Sequence, residues 1–466
     1  MGVKTMKGFR PQEIVNYLNQ HVVGQEKAKK AIAIAIVNKL RRQKLDDEWK
    51  KEVKPFNILM IGPTGVGKTE LARRIAKLYD KPFCKVDITA FSTTGYVGRS
   101  VDEIIAVDLF SSAKQLAKEV LKKELIQDDE YLEKIANHGA SSYIKLKKAF
   151  DYTDDAAFFG MDEDSANLSI EKEKVAKLLV RYFKNPNDNF TEEEKQILES
   201  EVTIEVYQEI QDPILKLTMQ TAGKEAVMPT TTIIKLKDYI PTMIEQDLTV
   251  GPNSFKLKQK TLELIQEGIV FIDEIDKIAG KDLRNVAGAG VQRELLALVE
   301  GKTVQTPYGP VDTDNILFIA GGAFHVAKPN DLMPELRGRF PVVVTLEELK
   351  EEDLYRILTE PKYSIIKQLT KLMETDGVKI EWTDEALRYI AKKAYQLNKE
   401  ENTGARKLIF LVNLVLEDVM FDAEPGQTFK ITKAYAERKI REKVKEVKKA
   451  LEYTGETSKN TIGFLA

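Results

Sequence analysis

The chain carries 71 basic and 73 acidic side chains among its 466 residues, a formal charge of −2, so no global positive field points to nucleic acid as the principal partner. That many residues exceed what one hydrophobic core usually serves, and two or three domains are expected. One cysteine, Cys84, and three histidines, His21, His138 and His325, exclude an intrachain disulfide and leave too few ligands for a thiolate or imidazole metal centre.

The opening Met1–Lys7 lacks the apolar segment of a secretory signal, and later apolar windows are too interrupted to cross a bilayer, so a cytoplasmic location with no membrane contact is expected. Pro11–Leu18 starts a short helix, with Pro11 tolerated in its first turn. After a break at His21-Val22-Val23-Gly24-Gln25, the stretch Glu26–Val37 favours a longer helix. The apolar strand Phe56–Ile61 runs into Gly62-Pro63-Thr64-Gly65-Val66-Gly67-Lys68-Thr69, after which Glu70–Leu78 has helical periodicity. A second strand, Phe83–Asp87, holds Cys84, read as a small buried core residue. Gly95-Tyr96-Val97-Gly98 then reads as a packed turn or as an exposed aromatic grip. These elements open a three-layer α/β domain.

The character of the chain changes near residue 110. Phe110–Leu121 and Glu171–Phe183 mix charged and apolar residues in helical fashion, and Asp162–Ser165 and Asn185–Asp188 break the pattern. Glu201–Ile210 reads as strand or helix, because Val202, Ile204 and Val206 alternate while the flanks favour helix; Thr230–Leu236 reads as a strand. A mostly helical insertion is placed at 110–245. The core resumes with the strand Ile269–Asp273, the helix Ala289–Val299, the strand Asn315–Ile319 and a cationic loop, Pro334–Pro341. Beyond about 345, long helical segments dominate: Ala386–Tyr395, Arg406–Met420 and Tyr435–Leu451.

Gly62, Gly65 and Gly67 remove side chains where backbone N–H groups must wrap a polyphosphate, and the following helix start adds positive potential. Lys68 is placed to reach the β and γ phosphates, and the Thr69 hydroxyl to join the coordination sphere of Mg²⁺. Asp273, ending an apolar run, is placed to meet the same Mg²⁺ directly or through water, and Glu274 to polarise a hydrolytic water. Arg339 reads either as a directional partner for a γ-phosphate or as a surface ion pair. Arg406 reads either as a charge carried back to the nucleotide or as an ordinary helix start. ATP with Mg²⁺ is the expected ligand.

Taken in order, His21–Gln25, Gly62–Thr69, Gly95–Gly98, Ile272–Ile275, Gly290–Leu296, Pro334–Arg339 and Gly404–Arg406 resemble the HslU (ClpY) family of AAA+ ATPases over nearly the whole chain. The resemblance implies an α/β fold: an AAA+ P-loop NTPase core (1–109 and 246–345), a helical inserted intermediate domain (110–245) and a mostly helical C-terminal lid (346–466). It implies an ATP-hydrolysing protein unfoldase and translocase, a homo-hexamer that feeds protein substrates to a separate HslV-like (ClpQ) peptidase. A remodeler of protein complexes acting without a peptidase is the alternative. On this resemblance His21, Val22 and Val23 lie near adenine, Gly62 to Glu70 surround the phosphates, Glu335 and Arg339 serve the neighbouring active site, and Arg406 is the lid's phosphate contact. Gly95, Tyr96, Val97 and Gly98 line a pore, and Phe464, Leu465 and Ala466 dock the peptidase. Two departures stand out: Gly321-Gly322 occupies the place where many AAA+ members put a polar sensor, and family tails commonly finish more like Arg-Phe-Ile-Leu than Thr461–Ala466 does.

Overall fold

The computed structural model describes residues 10–53, 56–92, 98–151, 164–209, 227–280, 286–400 and 402–454. Two compact units divide the chain, one formed by Met1–Ala113 with Leu264–Ala466 and the other by Lys114–Glu263. Along the chain the strands are β1 (Ile58–Ile61), β2 (Phe83–Asp87), β3 (Glu201–Glu209), β4 (Val227–Lys235), β5 (Ile269–Asp273), β6 (Thr303–Thr306), β7 (Gly309–Asp312), β8 (Leu317–Gly322), β9 (Val342–Thr345), β10 (Lys379–Trp382) and β11 (Thr428–Ile431).

Five strands of the first unit form one parallel sheet in the order β2-β5-β8-β1-β9. A parallel sheet is covered on both faces and needs continuous apolar runs rather than alternation. Ile269 to Ile272 and Leu317 to Ala320 supply them, all buried. The helices Glu26–Gln43 and Lys68–Leu78 turn Ile32, Ile36, Leu71 and Ile75 into the same core as Ile58, Met60, Phe271 and Ile319. Full burial of each such side chain contributes roughly 1.5–3 kcal/mol. The first helix runs six residues past the expected Val37, because its last turn carries Arg41 and Arg42 where the helix dipole favours cations. β8 lies between β1 and β5, so the carboxyl ends of β1 and β5 flank the end of β8. In open α/β sheets that edge is where ligands settle.

The C-terminal part of this unit has its own core of Leu354, Leu358, Ile390, Leu411, Val415 and Ile431. The helices Glu351–Thr359, Ile365–Glu374, Asp384–Asn398, Arg406–Asp422 and Lys433–Thr454 accompany a small parallel pair, β10 with β11. Ser364 and Thr383 cap two of these helices by accepting from backbone N–H groups.

In the second unit, Glu192–Glu199 starts with a reciprocal cap: Thr191 Oγ1 accepts from the Glu194 N–H at 3.2 Å and the Glu194 carboxylate accepts from the Thr191 N–H at 2.8 Å. The ambiguous stretch after it is strand. β3 pairs antiparallel with β4, and Val202, Ile204 and Val206 are buried on one face, so period 2 prevails once a partner strand exists. Among the described residues no helix is long and apolar enough to cross a membrane.

Candidate nucleotide-binding site

Gly62 to Thr69 joins β1 to the helix Lys68–Leu78 at the carboxyl edge of the sheet. Gly65 (φ 75°) and Gly67 (φ 104°) adopt left-handed backbone that side-chain-bearing residues rarely accept. The Lys68 side chain is only 8% exposed, and its ammonium donates to the Gly62 carbonyl at 2.5 Å and the Pro63 carbonyl at 2.8 Å. Burial lowers the Lys68 pKa; Asp273 and Asp276 oppose that, Arg406 adds to it, and Glu274 opposes it. The loop therefore holds a largely desolvated lysine among backbone carbonyls, with carboxylates that partly offset the effect of burial. Such a cradle, with glycines at its tight turns, fits a polyphosphate.

Asp273 ends β5, where its Oδ2 lies 2.8 Å from Lys85 Nζ and its Oδ1 accepts from the Glu274 N–H at 3.1 Å. Glu274 takes a left-handed conformation (φ 58°, ψ 32°), costly for a residue with a Cβ. The strained turn sends the chain out of the strand direction immediately after Asp273 and leaves Glu274 exposed. The two consecutive carboxylates thus occupy different surroundings. Asp276, not singled out from the sequence, accepts from the Ala323 and Phe324 N–H groups, both at 3.2 Å. The extra acidic residue two places beyond Glu274 was the available signal.

The sensor-position glycines have a steric cause. A Cβ on Gly321 would lie 2.9 Å from the Phe271 ring and 3.6 Å from Lys68 Cδ. A Cβ on Gly322 would lie 2.6 Å from the Phe324 ring and 2.8 Å from Asp276 Oδ1. Phe271, Phe324, Asp276 and the Lys68 stem occupy the space that a polar sensor side chain would need.

On the other side of the loop, Val22 and Val23 are buried, and Val22 Cγ1 lies 3.5 Å from where a Gly67 Cβ would stand. Gln25 fastens this segment to the end of β9: its Nε2 donates to Glu347 O at 2.8 Å and its Oε1 accepts from the Glu347 N–H at 2.9 Å. His21 stacks on Tyr363 with ring centroids 5.9 Å apart and meets Tyr17 edge-on at 4.9 Å. Its Nδ1 is buried without a hydrogen-bond partner among the described residues, and burial, then the Arg74 charge, lowers its pKa.

The C-terminal helices reach the loop through Thr403-Gly404-Ala405. The Ala405 N–H donates to the Gly65 carbonyl at 3.1 Å, and two glycines cross there. A Cβ on Gly404 would fall 2.7 Å from Gly65 C, Gly65 O and Thr64 O, and one on Gly65 would fall 2.0 Å from the Thr403 carbonyl. Arg406 begins the next helix, exposed and close enough to Lys68 to affect its charge.

Glu335 lies on a short helix, Pro334–Gly338, where the sequence suggested a loop; Pro334 at its first position suits a helix start. Arg339 closes that helix, and its guanidinium pairs with Glu300 at the end of the helix Val286–Glu300. Gly98 is described, and the Ser92 N–H bonds to Arg99 O at 3.0 Å beside it. Gly95, Tyr96 and Val97, and the tail residues Phe464, Leu465 and Ala466, lie outside the described residues. Cys84 is buried in β2, and burial raises its thiol pKa.

Three family models match: the ATPase family associated with various cellular activities over residues 58–127, the AAA domain of the Cdc48 subfamily over 219–343, and the C-terminal D2-small domain of ClpB protein over 349–435. AAA domains bind ATP with magnesium. Among known proteins, the chain is 41% identical to the "ATP-dependent protease ATPase subunit HslU" of Thermosipho africanus over 430 residues, which is 89% of this chain and 91% of that protein. It is 39% identical to the protein of the same name from Thermotoga maritima over 466 residues, 95% of this chain and 98% of the relative. With near-complete coverage at this identity, and AAA models matching residues 58–127 and 219–343, the chain belongs to the HslU family of AAA+ ATPases.

Proposed function

We propose that this chain is an ATP-driven protein unfoldase and translocase that works as a cytoplasmic homo-hexamer and delivers unfolded polypeptide to an HslV-like (ClpQ) peptidase. The observation that carries the reading is the glycine-rich loop Gly62–Thr69 at the carboxyl edge of the sheet, with its left-handed Gly65 and Gly67, its buried Lys68, Asp273 at the end of β5, and the Ala405 N–H from the C-terminal helices on the Gly65 carbonyl. Backbone N–H groups between Gly62 and Glu70, Pro63 having none, and the Lys68 ammonium hold the phosphates, with His21, Val22 and Val23 beside the base. Thr69 and Asp273 would hold magnesium, which would supply positive charge against the phosphates. Glu274, projecting from its strained turn, orients the attacking water. Arg339 and Glu335 serve the adjoining subunit's site, where the guanidinium stabilises charge on the transferred group.

Mechanical work follows from the glycine crossing. Thr403 to Ala405 rest on the backbone of the phosphate loop, so any rearrangement of that loop must move the helix beginning at Arg406. Repeated movement of this kind drives Tyr96 and Val97 along a pore and pulls the threaded chain. Peptide-bond cleavage belongs to the partner, reached through Phe464, Leu465 and Ala466. Glu274→Gln tests the chemistry: ATP binding should persist while phosphate release falls about 10²-fold or more. Near-normal turnover in that variant would remove Glu274 from the role. Tyr96→Ala should spare ATP hydrolysis and reduce unfolding of a folded substrate; equal retention of both activities would take Tyr96 off the pulling surface.

A further inference from the structure

The short helix that presents Arg339 is held at both ends by buried side-chain amides. At its start the Met333 N–H donates to Gln292 Oε1 at 2.8 Å; at its end the Arg339 carbonyl accepts from Asn57 Nδ2 at 3.1 Å. Each amide spends its other group on the chain's own nucleotide-binding elements. Gln292 Nε2 donates to the Ile278 carbonyl at 2.8 Å, at the close of the turn that follows Asp273 and Glu274. Asn57 Oδ1 accepts from the Phe318 N–H of β8 at 3.1 Å, and Asn57 directly precedes β1 and its phosphate loop. Both side chains are 2% exposed. A buried amide whose donor and acceptor are both used fixes its partners tightly, because breaking either bond leaves an unsatisfied group out of reach of water.

We propose that Asn57 and Gln292 are positioning residues that make the presentation of Arg339 to a neighbouring subunit depend on the state of the chain's own ATP site. The proposal rests on the reading that Arg339 acts in the adjoining site. Movement of the Asp273–Ile278 turn passes through Gln292 to Met333, at the front of the helix. Movement of β1 or β8 passes through Asn57 to the Arg339 backbone, at the rear. The helix Val286–Glu300 adds a third connection, since it bears Gln292 in its middle and, at its end, Glu300, the partner of the Arg339 guanidinium. The two amides are the rigid struts by which one site reports to the next, and neither touches the reacting atoms.

The test uses the full-length assembled protein. Gln292→Met removes both of its bonds at similar volume, and Asn57→Asp keeps the acceptor for Phe318 while losing the donor to Arg339. Gln292→Glu, which retains the acceptor for Met333, stands in if the methionine variant folds poorly. ATP affinity, read with a fluorescent ATP analogue, should stay within about twofold of wild type while kcat falls on the order of tenfold, as for a displaced group that acts in the transition state. In an Arg339→Ala background the same substitutions should lower kcat by less than about twofold, because the group they position is gone. A full tenfold loss in that background, or unchanged kcat in the single variants, would overturn the proposal. If Arg339→Ala alone left kcat intact, the trans-acting reading of Arg339 would fall and this inference with it, an outcome distinct from additivity in the double variants.

Discussion

Replacing Gly404 by alanine separates the lid contact from the rest of the fold. The new Cβ would stand 2.7 Å from three backbone atoms of Thr64 and Gly65, where ordinary contact begins at 3.4 Å, so one of the two segments must withdraw. Neither can yield by rotating a side chain, because every one of those atoms is main chain. The position also has φ +62°, which costs an alanine about 1–2 kcal/mol in backbone strain. Strain of that size lowers Tm by roughly 2–8 °C. Displacement of the Ala405 N–H from Gly65 misplaces the phosphate loop by a fraction of an ångström, and an error approaching 1 Å costs on the order of 10²-fold in rate. We therefore expect kcat/KM for ATP to fall about 10- to 100-fold, measured by steady-state phosphate release across ATP concentrations. Gly426→Ala is the control: its φ is +88° but nothing among the described residues lies within 4 Å of its new Cβ, so it carries the strain without the collision. It should lower Tm to a similar extent and leave ATP turnover alone. Wild-type kcat/KM in Gly404→Ala, or equal activity losses in both variants, would refute the idea that the lid rests on the loop.

Glu300→Gln frees Arg339 from its ion pair. Because a part-exposed pair contributes at most about 1 kcal/mol and this one helps to present Arg339, ATP turnover should fall by no more than about fivefold, and a rise above wild type would mean that Glu300 withholds the guanidinium rather than aiming it. Gly321→Asn, which restores a polar group at the sensor position, should destabilise by about 1–3 kcal/mol through collision with Phe271 and bring no gain in turnover; a more active, equally stable variant would contradict the steric account. His21 supplies a pH dependence. Its folded pKa lies below the ordinary 6.5, so the unfolded chain takes the proton first as pH drops; the contribution to stability is present above pH 6.5 and is lost as pH falls through the folded pKa. Urea midpoints should therefore decline less on the acid side in His21→Phe than in wild type, and identical declines would exclude His21 as a source.

Local chemistry made much of the site legible. A phosphate loop consists of contiguous residues with a fixed spacing, so Gly62–Thr69 could be read without knowing anything distant, and the strand Phe83–Asp87 and the helix beginning at Arg406 appear where periodicity put them. The conformation of Glu201–Glu209 could not be read, because its alternation becomes decisive only when Val227–Lys235 lies beside it. Pro334–Gly338 looked like a loop because a five-residue helix has too little periodicity to register, and what fixes its start is Gln292, 41 residues earlier in the chain. Gln292 lay inside a stretch that carries the family resemblance, but nothing in the sequence marked it or Asn57 as a strut: a buried amide looks the same in sequence as an exposed one. The meaning of Gly321 and Gly322 lay in the rings of Phe271 and Phe324, and so in how strands and loops pack rather than in the glycines themselves.

The central claim, that ATP turnover in this chain drives unfolding for a partner peptidase, is tested most directly by mixing the purified chain with an HslV-like peptidase, a folded tagged substrate and ATP, and following substrate fluorescence together with peptide release. The account predicts that loss of fluorescence and appearance of fragments occur together with ATP, and that both stop with a non-hydrolysable analogue or in Glu274→Gln. Fragmentation that proceeds equally without hydrolysis, or steady ATP turnover that never unfolds or delivers substrate, would contradict it.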